Sequence, residues 1–176
     1  MLVDALAQTT IGATFNFYRD GAGAERRRAR LRDYLAARDG AALLLVGEAA
    51  GYRGARVSGI PFTSERQVSG SGPAEATATI VHRVLSEVGL AEAVLLWNLV
   101  PTHPHEPGRP DTNRRPSRAE IASARPFLAE LAQGRRVLPV GRLAHAALGG
   151  MYVRHPSHGG ASAFRADLIA AVGQNG

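Results

Sequence analysis

The apolar positions of this chain fall into two kinds of segment, and the two kinds alternate. Ala41–Val46 (AALLLV) and Ala93–Val100 (AVLLWNLV) are short continuous apolar runs next to turn residues. Runs of that length and composition are expected for strands buried on both faces. Arg136–Val140 and Tyr152–Arg154 read as a third and a fourth strand. Between them the period changes to that of a helix. Residues 24–38 put Leu31, Tyr34 and Leu35 on one face and most of the arginines on the other. Pro73 opens a second helix that runs to about Val88, with Glu75 in its first turn. Ser117 and Glu120 form an S-x-x-E capping box at the start of a helix that ends near Gln133. A short helix at 142–148 and a last one at 161–173 follow, and residues 1–23 read as a lead-in helix and a loop. Segments 47–72 and 101–116 have no clear period and read as long functional loops.

Alternating strands and helices predict an α/β protein. The expectation is one domain over 1–176, a three-layer α/β/α arrangement around a central, mainly parallel four-stranded sheet. Ligands of such sheets bind at the carboxyl ends of the strands. Glu48, Asn98 and His155 stand at those ends.

Composition narrows the chemistry. Apolar residues make up 45% of 176, enough for a full core. No apolar run approaches the roughly 18 residues of a membrane span, and MLVDALAQTT lacks the basic start and apolar stretch of a signal peptide. The expectation is a soluble cytoplasmic protein with no membrane partner. The chain has no cysteine, which excludes disulfides, thiolate zinc sites, iron–sulfur clusters and a cysteine nucleophile. Net charge is +6 and every basic residue other than histidine is arginine. Missing lysine fits GC-rich codon usage; surplus positive charge fits an anionic partner such as nucleic acid.

Three segments carry candidate chemistry. In GEAAGYRGARVSGIPFT, Gly47 to Thr63, glycines let backbone amides approach a ligand. Neither phosphate-loop fingerprint is present, which argues against a nucleotide-binding hydrolase. Glu48 either orients water and opposes a developing cation or caps neighbouring amides. In the segment from Leu96 to Ile121, Asn98 interrupts an apolar strand. It either pairs with an amide-like ring edge or ties down a loop. His103 and His105 form an H-x-H pair, but no third metal ligand stands at a recognisable spacing. In RHPSHGG, Arg154 to Gly160, His155 precedes a proline at a strand end, where it is either structural or a donor to a leaving oxyanion.

Taken in order, these segments resemble the uracil-DNA glycosylase superfamily. GEAAG matches its first motif, SGIPF its base-stacking aromatic, LWN its uracil-reading asparagine and HPS its histidine motif. NRRPSRAEI resembles the loop and helix of the family-four branch, and GRLAHAAL the glycine-alanine segment before the last strand. The likeness spans about residues 42–170. It departs from the family at several points. The four cysteines of the family-four branch are missing, and Ala49 stands where the best-known branch has aspartate. Ala50 replaces the usual proline of the first motif, and His158-Gly159-Gly160 replaces the DNA-inserting leucine.

The resemblance implies a monofunctional base-excision repair enzyme, cytoplasmic and nucleoid-associated, acting as a monomer on uracil-containing DNA without metal or organic cofactor. Glu48 and His155 are then its catalytic pair. Phe62, Asn98, Gly51 and Ala49 line the base pocket, and Ser157, His158, Arg114 and Ser71 contact DNA. Gly51 occupies the place of a tyrosine that blocks the thymine methyl in the best-known branch, so the resemblance implies open space beside uracil C5. Two alternatives stay open: a glycosylase for another deaminated or oxidised base, and a DNA- or uracil-binding module without turnover.

Overall fold

The computed structural model describes residues 1–173. In chain order the helices are α1 (Leu2–Gln8), α2 (Ala24–Ala37), α3 (Ala55–Ser58), α4 (Glu65–Ser69), α5 (Ala76–Glu87), α6 (Arg118–Ala132), α7 (Arg142–Leu148) and α8 (Ala161–Gly173). The strands are β1 (Thr14–Phe15), β2 (Leu43–Ala49), β3 (Val94–Val100), β4 (His103–Pro104) and β5 (Arg136–Pro139). β2 is central in a parallel sheet of order β3-β2-β5, with Leu43 opposite both Val94 and Arg136.

Alternation along the strands divides the core between two faces. Leu44 and Val46 of β2, with Leu95, Trp97 and Leu99 of β3, pack against α1, α2 and α6. Leu43 and Leu45, with Val94, Leu96 and Leu138, pack against α5 and α8. The three-layer arrangement follows directly, since each strand is apolar on both sides and each face needs helices to cover it.

The expected fourth strand is reduced to one bridge. Val153 pairs in parallel with Val140, its N–H donating to Pro139 and its carbonyl accepting from Gly141. The next amide, Arg154, donates to the Asp167 carboxylate of α8 instead of to a strand. Pro156 then follows with no N–H to give. The sheet therefore has three strands. A two-stranded antiparallel ribbon, β1 with β4, lies inside regions that the sequence reads as loops. The long loop after β2 contains α3 and α4. The helix expected from Pro73 begins at Ala76, with Glu75 as its N-cap.

The arginines of α2 serve largely as internal ties. Arg27 donates to the Phe17 and Asp20 carbonyls, Arg28 to Tyr18, and Arg30 to Ser58 and the Glu65 carboxylate. The capping box forms as expected: Ser117 Oγ accepts from the Glu120 amide at 3.2 Å, and Glu120 Oε2 from the Ser117 amide at 2.8 Å. Glu120 goes further than a cap. It is 3% exposed and also accepts from the Ala13 amide and from both terminal nitrogens of Arg114, at 2.6 and 2.9 Å. One carboxylate thus ties the N-terminal segment, the 101–116 loop and α6 together. The Arg114 guanidinium holds its carboxyl well down, to about 2.

Glu120→Gln leaves the Arg114 charge without its counter-ion, and unfolding in urea at neutral pH should register a loss of about 3 kcal/mol. A loss under about 1 kcal/mol, the value of an exposed pair, would show that the tie is dispensable. Because the folded carboxyl titrates below its ordinary value of 4.5, its contribution is present above that pH. It is lost as pH falls toward about 2, and the variant should lack that component of acid unfolding.

Candidate active site

The carboxyl ends of β2 and β3 and the segment after β5 open into a cavity of about 730 Å³. Glu48, Ala49, Gly51, Phe62, Asn98, His155, Ser157, His158 and Arg114 all line it. Residues that the sequence separates by more than a hundred positions are thus brought to one place. Ser71 is not among them: it is exposed in the turn after α4, its carbonyl accepting from Ser69.

The floor is built from a close approach. β2 and β3 are in register at Gly47 and Asn98. A Cβ on Gly47 would collide with the Phe62 ring and lie 2.9 Å from Asn98 Oδ1. Only glycine lets the ring lie over the strand beside the amide. Phe62 has φ +53, rare for an aromatic residue. Its turn is pinned on both sides. Ser58 Oγ donates to the Thr63 carbonyl at 2.7 Å, and Thr63 Oγ1 lies 2.9 Å from His82 Nε2 of α5. Asn98 is 4% exposed, lines the cavity and makes no side-chain hydrogen bond with any described residue.

The two candidate catalytic groups are tuned in opposite directions. Burial raises the Glu48 carboxyl, partly offset by the Arg115 charge. Burial, with the charge of Arg154 and then that of His158, lowers His155. The ring's tautomer is fixed by a backbone bond: the Ser157 amide donates to His155 Nδ1 at 3.2 Å, with Ser157 Oγ 2.8 Å from the same atom. The proton of the neutral ring therefore sits on Nε2, which has no partner among the described residues.

The mouth is cationic, though not where expected. Arg114 lines the cavity, yet its guanidinium is committed to Glu120 and its Nε to the His105 carbonyl. Arg115 and Arg142 line the same cavity, are exposed and have no ion-pair partner among the described residues. Ser157 Oγ lies 3.0 Å from His158 Nδ1, and His158 is exposed at φ +52. His103 is not poised for a metal: Nδ1 lies 2.9 Å from the Ala50 carbonyl and Nε2 3.3 Å from that of Pro110. His105 stacks on it, its Nδ1 2.9 Å from the Glu106 carbonyl.

Open space beside Gly51 is not found. The Glu75 carboxyl group fills it, 2.5 Å from where a Cβ of Gly51 would stand. Local sequence gave no reason to single out Glu75, Arg115 or Arg142. Glu75 reads as an ordinary first-turn acid, and the arginines are two among many.

The sequence profile of the Uracil DNA glycosylase superfamily matches residues 36–172. The chain belongs to that superfamily. Its fold is similar to the crystal structure of wild-type Pedobacter heparinus SMUG2, with a TM-score of 0.68 at 15% identity. That likeness covers 98% of this chain and 97% of the other. No curated protein sequence matches the chain.

Nitrogen-resolved NMR should find His155 as the Nε2–H tautomer and titrating below the ordinary value of 6.5. A proton on Nδ1 at neutral pH would mean that the Ser157 amide does not hold the ring.

Proposed function

We propose that the protein is a monofunctional glycosylase that extrudes uracil from DNA and hydrolyses its N-glycosidic bond. The observation that carries this reading is the Asn98 amide, which lies beside the Phe62 ring, lines the cavity and has no hydrogen-bond partner among the described residues. A buried amide left unmatched costs about 1–3 kcal/mol. With its NH2 toward O4 and its oxygen toward N3–H the amide matches uracil; cytosine, with an amine beside a bare ring nitrogen, is refused in that orientation and fits only the reverse one.

Arginines at the mouth and the 155–160 turn hold the phosphates, which position the strand without reading its sequence. Extrusion of the nucleotide costs a few kcal/mol, and stacking on Phe62 returns roughly 1–3 kcal/mol. As the C1′–N1 bond lengthens, negative charge moves to uracil O2 and positive charge to the sugar. The Nε2–H of neutral His155 donates to O2. The Glu48 carboxylate opposes the sugar cation and orients a water whose oxygen bonds to C1′. Glu48 takes that water's proton, and uracil leaves with the electron pair of the broken bond. The chain has no lysine, so no lysine Schiff base and no strand cleavage through one follow.

Incubation with a uracil oligonucleotide, then alkali, should give strand breaks, with full activity in EDTA. Intact DNA would leave a binding module without turnover. Glu48→Gln and His155→Ala should each lower the single-turnover rate by about 10²–10³ with little change in DNA affinity; a folded variant that cleaves normally removes that residue from the mechanism. Asn98→Asp should weaken uracil cleavage, since a carboxylate cannot donate to O4. The rate should fall on acidification as Glu48 is protonated, and burial moves that limb above the ordinary 4.5. A limb at or below that value would contradict the assignment of Glu48.

A further inference from the structure

Glu75 does not act as its position suggests. It is the N-cap residue of α5, yet its side chain makes no cap hydrogen bond. The carboxyl group turns back over Gly51 and Gly54 instead, and a Cβ on either glycine would meet one of its oxygens. It lines the same cavity as Glu48, Asn98 and His155. Among the described residues it has no hydrogen-bond or ion-pair partner, and burial with no offsetting cation raises its pKa. Outside the cavity, partly or fully buried carboxylates are engaged, Glu65 with Arg30 and Glu120 with Arg114. Its oxygens are open to the cavity, so the partner they lack on the protein is one that the cavity can supply.

The order of atoms around a pyrimidine ring assigns the edge that Glu75 meets. With the sugar directed outward, O2 on His155 and the N3–O4 edge on Asn98, the remaining edge is C5–C6. Gly51 with Glu75 over it forms a further polar wall of the cavity, and Glu75 is the carboxyl group there without a protein partner among the described residues. We propose that Glu75 is the specificity-determining side chain of the base pocket, reading the 5-position of the flipped pyrimidine by hydrogen bonding. This rests on the glycosylase reading. A methyl group at C5 would press against the carboxyl group, displace water from it and return no hydrogen bond. A bare C5 leaves room for a water bridge, and a hydroxyl-bearing substituent bonds to the carboxyl group directly. Selection therefore follows the polarity of the 5-substituent, not its bulk alone.

The test uses binding, so that it does not depend on turnover. Oligonucleotides carrying non-cleavable 2′-fluoroarabino forms of uracil, thymine and 5-hydroxymethyluracil are titrated against wild type, Glu75→Ala, Glu75→Gln and Glu75→Leu. Folding of each variant is checked by thermal unfolding. Wild type should bind the thymine oligonucleotide at least about tenfold more weakly than the other two. Glu75→Gln, of the same shape and still able to hydrogen-bond, should keep that order. Glu75→Ala should bring the three within about threefold, and Glu75→Leu should place thymine above 5-hydroxymethyluracil. A wild type indifferent to the 5-substituent overturns the proposal, as does a ranking unmoved in folded Glu75→Ala or, should that variant fail to fold, in Glu75→Leu. Cleavage of the natural uracil oligonucleotide, measured in parallel, separates the two readings. Cleavage with an unmoved ranking sinks only the role of Glu75; a ranking that moves with Glu75 and no cleavage sinks only the hydrolytic reading.

Discussion

The Glu120 carboxylate is the point at which three otherwise independent stretches of chain become one structure. It accepts from the Ala13 amide, the Ser117 amide and the Arg114 guanidinium. Those bonds hold the N-terminal segment, the 101–116 loop and the start of α6 in one relation. The β1–β4 ribbon closes between the first two. The loop then returns to the sheet, where Asn113 accepts from the Tyr52 amide and lines the cavity with Arg115. His103 extends the same tie inward through its contact with the Ala50 carbonyl, directly behind the motif that carries Glu48. A charge is costly to bury alone. Here the cost is offset locally by the hydrogen bonds that the carboxylate accepts.

Satisfaction of polar groups follows a pattern that separates scaffold from site. Away from the cavity, Asn16 is matched with the Leu6 carbonyl and the Tyr18 amide, Ser58 with Thr63 and Arg27 with Phe17, whereas Trp97 Nε1 and Arg56 Nε are buried without a partner among the described residues. Inside the cavity, the Asn98 amide, the Glu48 and Glu75 carboxyl groups and His155 Nε2 have no hydrogen-bond partner among the described residues. These groups are supported from behind instead. Gly47 admits the Phe62 ring, the Ser58–Thr63–His82 contacts fix the ring's turn, and the Ser157 amide fixes the imidazole. Rigid backing with open faces is the arrangement preorganised binding requires.

This pattern also marks what the sequence made legible. The apolar runs disclosed β2, β3 and β5 because strands buried on both faces carry a continuous signal. The S-x-x-E box disclosed the start of α6 because its bonds are local. Motif order brought Glu48, Phe62, Asn98 and His155 together before any coordinates did. The reduced fourth strand was not legible, because it depends on Asp167 of α8 capturing the Arg154 amide. The commitment of Arg114 to Glu120 was hidden for a different reason. Arginine at that position looks the same whether it faces a phosphate or a carboxylate, and only the fold decides. Gly51 misled in the same way: the absence of a side chain there implied a gap, while a residue 24 positions on supplies the atoms that fill it.

Charge in the site is sorted by depth, and that sorting bears on how one pocket can both attract DNA and handle an uncharged base. Arg115 and Arg142 stand exposed at the mouth, where water screens them and phosphates can reach them. Further in, burial pushes Glu48 and Glu75 upward and His155 downward, each toward its neutral form. A neutral imidazole donates to a developing oxyanion without first binding the DNA backbone as a cation would. Glu48 alone of the two carboxyl groups has a cation, Arg115, acting against its burial. The environment therefore treats two chemically identical side chains differently: burial raises both, and a nearby cation partly holds back Glu48 alone. That difference needs no motif to specify it, only one arginine whose charge acts on Glu48 and not on Glu75.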